Sequence, residues 1–326
     1  MKNKNHKNKI VLTIILGVLL VIIAGNINII NSRKQPIFVT VSNDFIEKNN
    51  RVAYSYDGIK WKEVTLPILA RSYSLCYGNG KFIAIDNDDN KAVYSTDGIK
   101  WKKVTLPGEA TWASICYGNG KFVALSDDTN KAIYSKDGIK WKETKLPSMA
   151  YWHRVCYGNG KFVAVARESN KVLYSTDGIK WKETTLPSEA AWSSICYGNG
   201  KFVAVSENNN KAAYSMDGIK WKDITLPSEA AWRSICYGNG KFLTVAGNMP
   251  KALYSIDGIK WKETKLPDDN CNCWESVCYG NGKFVAVAML YPCGGEIMSA
   301  YSTDGIKWKA ATLHGGNWGV VCYGGE

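Results

Sequence analysis

YSYDGIKW (Tyr54–Trp61) is the stretch that decides the fold, because six more copies of Tyr-Ser-x-Asp-Gly-Ile-Lys-Trp follow it. They begin at Tyr94, Tyr134, Tyr174, Tyr214, Tyr254 and Tyr301, forty residues apart except for a last step of 47. A fixed period of this size marks a repeat architecture and overrides the two domains that 326 residues alone would suggest.

Working outward from the copy at Tyr134, one unit reads as four strands. WASICYG (Trp112–Gly118) is a β-rich run, and Asn119-Gly120 is a hairpin turn. KFVALS (Lys121–Ser126) is a second strand, DDTN a polar loop, and KAIYS (Lys131–Ser135) a third strand. The turn KDG leads into a fourth strand, IKWKETKL (Ile139–Leu146), which Pro147 ends. Four antiparallel strands in about forty residues describe one blade of a β-propeller. The Gly-His and Trp-Asp signatures of WD-type propellers are absent, and helical solenoids lack such turn dipeptides.

First-strand copies end at Cys76, Cys116, Cys156, Cys196, Cys236, Cys278 and Cys322. Ahead of them stand only a second, third and fourth strand: IFVTVS, RVAYS and IKWKEV. The C-terminal WGVVCYGGE is therefore expected to complete the N-terminal blade. The expected fold is all-β, a seven-bladed propeller of four-stranded antiparallel blades over residues 37–326, closed by a strand exchanged between the chain ends.

Residues 1–30 differ. Lys2, Lys4, Lys7 and Lys9 precede an apolar run from Ile10 to Gly25 in which Thr13 is the only polar residue. A basic region followed by a hydrophobic helix reads as an export signal. With no small-x-small cleavage site in view, the expectation is an uncleaved anchor, basic end inside and repeats outside. A cleaved signal peptide is the alternative, and both place the propeller outside the cytoplasm. The net charge is +12, or +8 without the four leader lysines, which favours anionic partners such as wall polymers or headgroups. Nucleic acid does not fit an exported chain.

The motif Ser-x-Asp-Gly-x-x-Trp resembles the Asp-box of sialidase-type BNR-repeat propellers, usually Ser-x-Asp-x-Gly-x-x-Trp, in a shortened form known from bacterial and phage repeat proteins. The resemblance covers about 290 residues and implies a propeller whose Asp-box turns lie opposite any active site. Physically, Ser55 and Asp57 bond backbone groups of the turn, Gly58 supplies a positive φ, and Trp61 buries its ring between blades. The same roles fall to Ser95, Asp97 and Trp101; Ser135, Asp137 and Trp141; Ser175, Asp177 and Trp181; Ser215, Asp217 and Trp221; Ser255, Asp257 and Trp261; and Ser302, Asp304 and Trp308. Lys60 and Lys62 recur in every copy on the outermost strand, where they either protect a strand edge or form a basic girdle that attracts anionic wall polymers.

Sialidase resemblance raises glycoside hydrolysis, which in that family needs an arginine triad, a Tyr/Glu pair and an acid. This chain has six arginines: Arg33, Arg51, Arg71, Arg154, Arg167 and Arg233. QPIFVT stands where the family's Arg-Ile-Pro is expected, and the repeat symmetry is hardly broken. No catalytic residue is assigned. His6, His153 and His314 have no metal-ligand spacing, and neither metal nor cofactor is expected.

Variation points instead to binding. The loop entering the first strand and the loop joining strands two and three change between blades, and in a propeller these share one face. The seven extra residues of the last full blade fall in the same two loops, two in DDNCNCW and five in AMLYPCGGEIMSA. Trp112, Trp152, Trp192, Trp232, Trp274 and Trp318 each open a first strand; they form either a stacking platform or inter-blade core. Tyr151, His153, Arg154 and Arg233 are unrepeated neighbours that would give selectivity. Cys271, Cys273 and Cys293 lie in the two enlarged loops, where Cys293 can pair with Cys271 or Cys273; the other seven occupy one repeated, buried position.

The reading is a non-catalytic, extracytoplasmic binding propeller that recognises carbohydrate, cell-wall polymer or a protein through its variable-loop face. A sialidase-like hydrolase and an architectural docking scaffold are the alternatives.

Overall fold

Each Asn-Gly pair turns the chain with both residues left-handed, Asn79 at φ 44° and Gly80 at φ 70° in the first instance. A two-residue hairpin demands this conformation, and only Gly and Asn adopt it cheaply. The computed structural model describes residues 35–43, 49–70, 72–87, 90–267, 273–289, 297–313 and 315–325. The leader with its expected helix, and Cys271 and Cys293 of the expected disulfide, lie outside them, as do Arg71 and His314.

The described residues form seven four-stranded antiparallel sheets and no helix. Blade 1 takes its strands from both chain ends: Trp318–Gly324 pairs with Ile37–Ser42, which pairs with Asn49–Ser55 and then Lys62–Ala70. Blades 2 to 7 start at Ser72–Gly78, Trp112–Gly118, Trp152–Gly158, Trp192–Gly198, Trp232–Gly238 and Cys273–Gly280, and each runs outward in chain order. The first strands contact one another in sequence, and Trp318–Gly324 contacts Ser72–Gly78, so the ring is closed. This is the expected toroid with its exchanged strand.

Two devices join the blades. A Cβ on Gly118 would lie 2.0 Å from Tyr157 Cγ, and the same Gly–Tyr contact recurs at all seven junctions, including Gly324 with Tyr77. Only glycine lets the neighbouring ring lie against the strand. Inside, a serine hydroxyl accepts the next blade's backbone N–H: Ile115 N to Ser74 Oγ at 2.9 Å, Val155 N to Ser114 Oγ at 3.0 Å, Ile235 N to Ser194 Oγ at 3.2 Å. Ser234 and Ser276 repeat it for Val277 and Val321. In the remaining two blades Arg154 and Val320 occupy the serine position.

The Ser-x-Asp-Gly turns are built alike. Gly138 N donates to Ser135 Oγ at 2.8 Å, while Ile139 N and Lys140 N donate to Asp137 Oδ1 at 2.9 and 2.8 Å. Bonds from Lys140 and Ile139 hold the Asp137 carboxyl below its ordinary range. Because these two N–H groups are committed to the turn, the fourth strand is Lys142–Lys145 rather than the expected Ile139–Leu146. Gly138 has φ +73°, and a Cβ there would lie 2.6 Å from Ile83 of the preceding blade. Trp181 is 8% exposed, with its ring 6.3 Å from that of Phe162, in one core cluster with Val123 and Leu125 of the preceding blade.

The six first-strand tryptophans are core. Trp112, Trp152, Trp192, Trp232, Trp274 and Trp318 are each 0% exposed, and Trp112 shares one core cluster with Phe122 of its own blade and with Ile83 and Ile85 of the preceding one. A stacking platform needs an accessible ring face, so the inter-blade alternative holds. The repeated cysteines are free thiols, with Cys76 buried and Cys116 half-buried; burial pushes both thiols up.

Candidate functional site

The position just after each first-strand Trp is one of the few that the repeat does not fix. It is Ala113, His153, Ser193, Arg233, Glu275 and Gly319 in successive blades. The position at the end of the second strand is equally free: Asn43, Asn87, Asp127, Arg167, Glu207 and Gly247 just after it, and Met289 as its last residue in blade 7. Backbone bonds tie the second of these positions to the residue just ahead of the Trp. Arg167 N donates to Tyr151 O at 2.8 Å, Glu207 N to Ala191 O at 2.9 Å, and Asp127 N to Thr111 O at 3.1 Å. A constant frame thus carries variable side chains to one end of the ring.

There they enclose a cavity of about 510 Å³. Every blade contributes to its lining: Asn43 and Gly319, Asn87, Ala113 and Asp127, His153 with Arg154, Arg167 and Glu168, Glu207, Arg233, and Glu275 with Met289. A cavity lined from all seven blades lies on the ring axis. Its volume is in the range that takes a small molecule or the end of a polymer.

Glu207 is the electrostatic centre. Its side chain is 3% exposed, and it accepts from Arg167 Nη2 at 2.8 Å and from Arg233 Nη1. Arg233 Nε also lies 3.7 Å from Glu275 Oε1. Gly247 makes room for this arginine: a Cβ there would lie 2.5 Å from Arg233 Cγ. Arg154, which replaces the junction serine, bonds the His153 carbonyl at 3.0 Å and has no carboxylate in ion-pair contact among the described residues. Burial pulls its guanidinium down to about 10, against the attraction of Glu275 and Glu207.

The acids are perturbed in the opposite sense. Burial, with Asp128 adding repulsion, raises Asp127 to about 6. Burial also raises Glu275, against Arg233 and Arg154. Burial and the three arginines drive His153 well below its usual value, so it is neutral at pH 7. The Nε atoms of Arg167 and Arg233 and the Oδ1 atoms of Asn43 and Asn87 are buried without a hydrogen-bond partner. The mouth therefore presents unspent donors and acceptors of both kinds.

Of the expected ligand residues, Tyr151, His153, Arg154 and Arg233 line this cavity together, and Tyr151 stands 60% exposed at its rim. The tryptophans do not. Asp127, Arg167, Glu207 and Glu275 were not singled out from the sequence. Their signal lies in the repeat: each stands at a position that changes from blade to blade, next to a strand whose KF- start is constant.

The molecule is thus a closed seven-bladed propeller with a charged axial cavity. The family model described as "DUF6242 beta propeller domain" matches residues 74–185 and 152–276, and the chain belongs to that family. No curated protein matches it. Similar solved structures include virginiamycin B lyase from Staphylococcus aureus, 18% identical over 78% of this chain and 89% of that one, TM-score 0.68. A streptogramin B lyase is 15% identical over 88% and 90%, TM-score 0.68. YCF48 bound to D1 peptide is 14% identical over 76% and 89%, TM-score 0.58. At these identities the likeness is one of fold.

Proposed function

We propose that this chain is a non-catalytic, extracytoplasmic binding propeller whose axial cavity holds the ligand, a carbohydrate unit or the end of a wall polymer. One observation carries the reading. In a chain whose blades are otherwise near-identical, unrepeated side chains from all seven converge on one cavity. A scaffold that only had to be stiff would have no reason to diversify there. The lining suits a ligand rich in hydroxyls with an acidic group, since guanidinium and carboxylate side chains both bond polar oxygens, and arginine does so bidentately. The test is a glycan and wall-polymer panel probed with the propeller and with Arg154→Ala plus Arg233→Ala. Saturable binding that the double variant loses, at unchanged melting temperature, supports the reading. Binding that survives it moves the site elsewhere, and capture of a peptide with no glycan binding favours protein docking.

Glycoside hydrolysis is the second reading. Arg154, Arg167 and Arg233 do gather in one cavity, beside two carboxyls, Asp127 and Glu275, that are raised as a general acid must be. Turnover of a fluorogenic sialoside, abolished by Asp127→Asn, would replace the binding reading with this one.

A further inference from the structure

The opposite face of the ring carries a different chemistry. Each Ser-x-Asp-Gly turn is followed by two lysines, Lys60 and Lys62 in blade 1 and Lys307 and Lys309 in blade 7. All seven pairs are exposed. Four acids of the outer strands pair with residues of the third strands instead. Glu63 is taken by Arg51 at 2.9 Å, Glu143 by Lys131 at 3.5 Å, Glu183 by Lys171 at 3.7 Å and Glu263 by Lys251 at 3.4 Å. Within the turn itself, two lysines stand against one carboxylate that is committed to backbone N–H groups. Protection of a strand edge accounts for the Lys62 class, which opens the outer strand. It does not account for the Lys60 class, which sits in the turn.

These turns share one face. Asn79 Nδ2 donates to Lys136 O at 3.1 Å and Asn119 Nδ2 to Thr176 O at 3.1 Å, so the Asn-Gly hairpins and the Ser-x-Asp-Gly turns interlock around the ring. The axial cavity opens at the other ends of the same strands. The chain enters the propeller on the lysine side as well: Ile37 pairs with Gly324, and Phe38 with Ser55, the serine of the first turn.

We propose that this lysine face docks on an anionic lipid bilayer and holds the axial cavity away from the membrane. The inference rests on the reading of residues 1–30 as a membrane anchor. The first described strand, Ile37–Ser42, begins on the face that carries these lysines. A face with lysines repeated every blade matches an array of phosphate headgroups, which it can meet at many points at once. The attraction acts over about a Debye length, so it adds to a tether without replacing it.

Residues 36–325 form one unit with every blade complete, so the propeller without its leader is the object to test. It would be sedimented with vesicles of phosphatidylcholine alone or mixed with phosphatidylglycerol. The expected result is binding to the mixed vesicles only, weakened by salt. In Lys60→Gln, Lys62→Gln, Lys307→Gln, Lys309→Gln, partitioning is expected to fall about tenfold or more. A matched control, Lys131→Gln, Lys171→Gln, Lys211→Gln, Lys251→Gln, removes the same charge from the third strands and is expected to keep most of the binding. Equal loss in both variants, binding to neutral vesicles, or capture of soluble polyphosphate without any vesicle binding would each overturn the proposal. The anchor reading is judged separately, by the mass of the mature N-terminus; a cut leader with retained vesicle binding leaves the docking face standing.

Discussion

Glu207 Oε2 accepts a hydrogen bond from Arg167 Nη2 at 2.8 Å, joining blade 5 to blade 4 at the cavity mouth, while its other oxygen takes Arg233 of blade 6. One nearly inaccessible carboxylate thus spans three blades. Both arginines are more than a third exposed, so solvent screens part of the attraction. Glu207→Gln is expected to cost about 1–3 kcal/mol, because it leaves two guanidinium groups close together without their counter-charge. Chemical denaturation checks this, and a stability equal to the parent's would show that the arginines find other partners.

The turn motif and the cavity should separate on mutation. Asp137→Ala removes the acceptor of two backbone N–H groups and is expected to destabilise the fold by about 1 kcal/mol. Ligand binding should survive wherever the protein is folded. Normal melting with lost affinity would place the turn in the binding site.

Acid should act on the turns as a set. Asp57, Asp137, Asp177, Asp217, Asp257 and Asp304 are all held below the unfolded value of 3.8. A depressed carboxyl contributes its stability in full above the unfolded value and loses it as pH falls through the lower folded value. Stability is therefore expected to fall steeply below about pH 4 and to do so less in a variant with several turn aspartates replaced by Asn. A flat acid limb in the parent would refute it.

Asp127 runs the other way. Its carboxyl is raised from 3.8 to about 6, so its contribution is present below 3.8 and is lost as pH rises through about 6. Asp127→Asn is expected to be more stable than the parent at pH 7–8, by about 1 kcal/mol after solvent screening, and to narrow the gap toward pH 4. Melting curves across that window decide it; a less stable variant at pH 8 would mean that Asp127 is held charged by a partner.

Ring closure can be probed at its last junction. A Cβ on Gly324 would lie 2.1 Å from Tyr77 Cγ. Gly324→Ala is expected to cost about 1–3 kcal/mol through overpacking and to speed amide exchange in Ile37–Ser42 more than in blade 4. Uniform exchange around the ring would show that the joint between the chain ends is no weaker than the rest.

The architecture was legible because repetition amplifies weak signals. A single Asn-Gly or Ser-x-Asp-Gly turn says little, but Asn79-Gly80 and its counterparts at one period left one solution. Strand limits were less legible, since the loss of Ile139 and Lys140 from the outer strand follows from where Asp137 points its oxygens. The site was half legible. Variation marked Tyr151, His153, Arg154 and Arg233, yet it could not show that Arg167 and Glu207, distant in sequence, meet across a junction. The tryptophans left two readings open, because an aromatic ring at a strand entrance serves a ligand or a core equally well. Only burial separates the two, and sequence periodicity carries no depth.

Five junctions of the ring are latched by a serine hydroxyl, and two are not, where Arg154 and Val320 stand instead. One of the two lies between blade 2 and blade 1, the blade that the chain's two ends build together. The other, between blades 4 and 5, is spanned at its mouth by Arg167 and Glu207. That junction keeps the Gly158–Tyr197 contact of the others, with an ion pair standing where they have a hydroxyl. If an anion entered the cavity and drew Arg167 off Glu207, this would be the place where the ring loosened first.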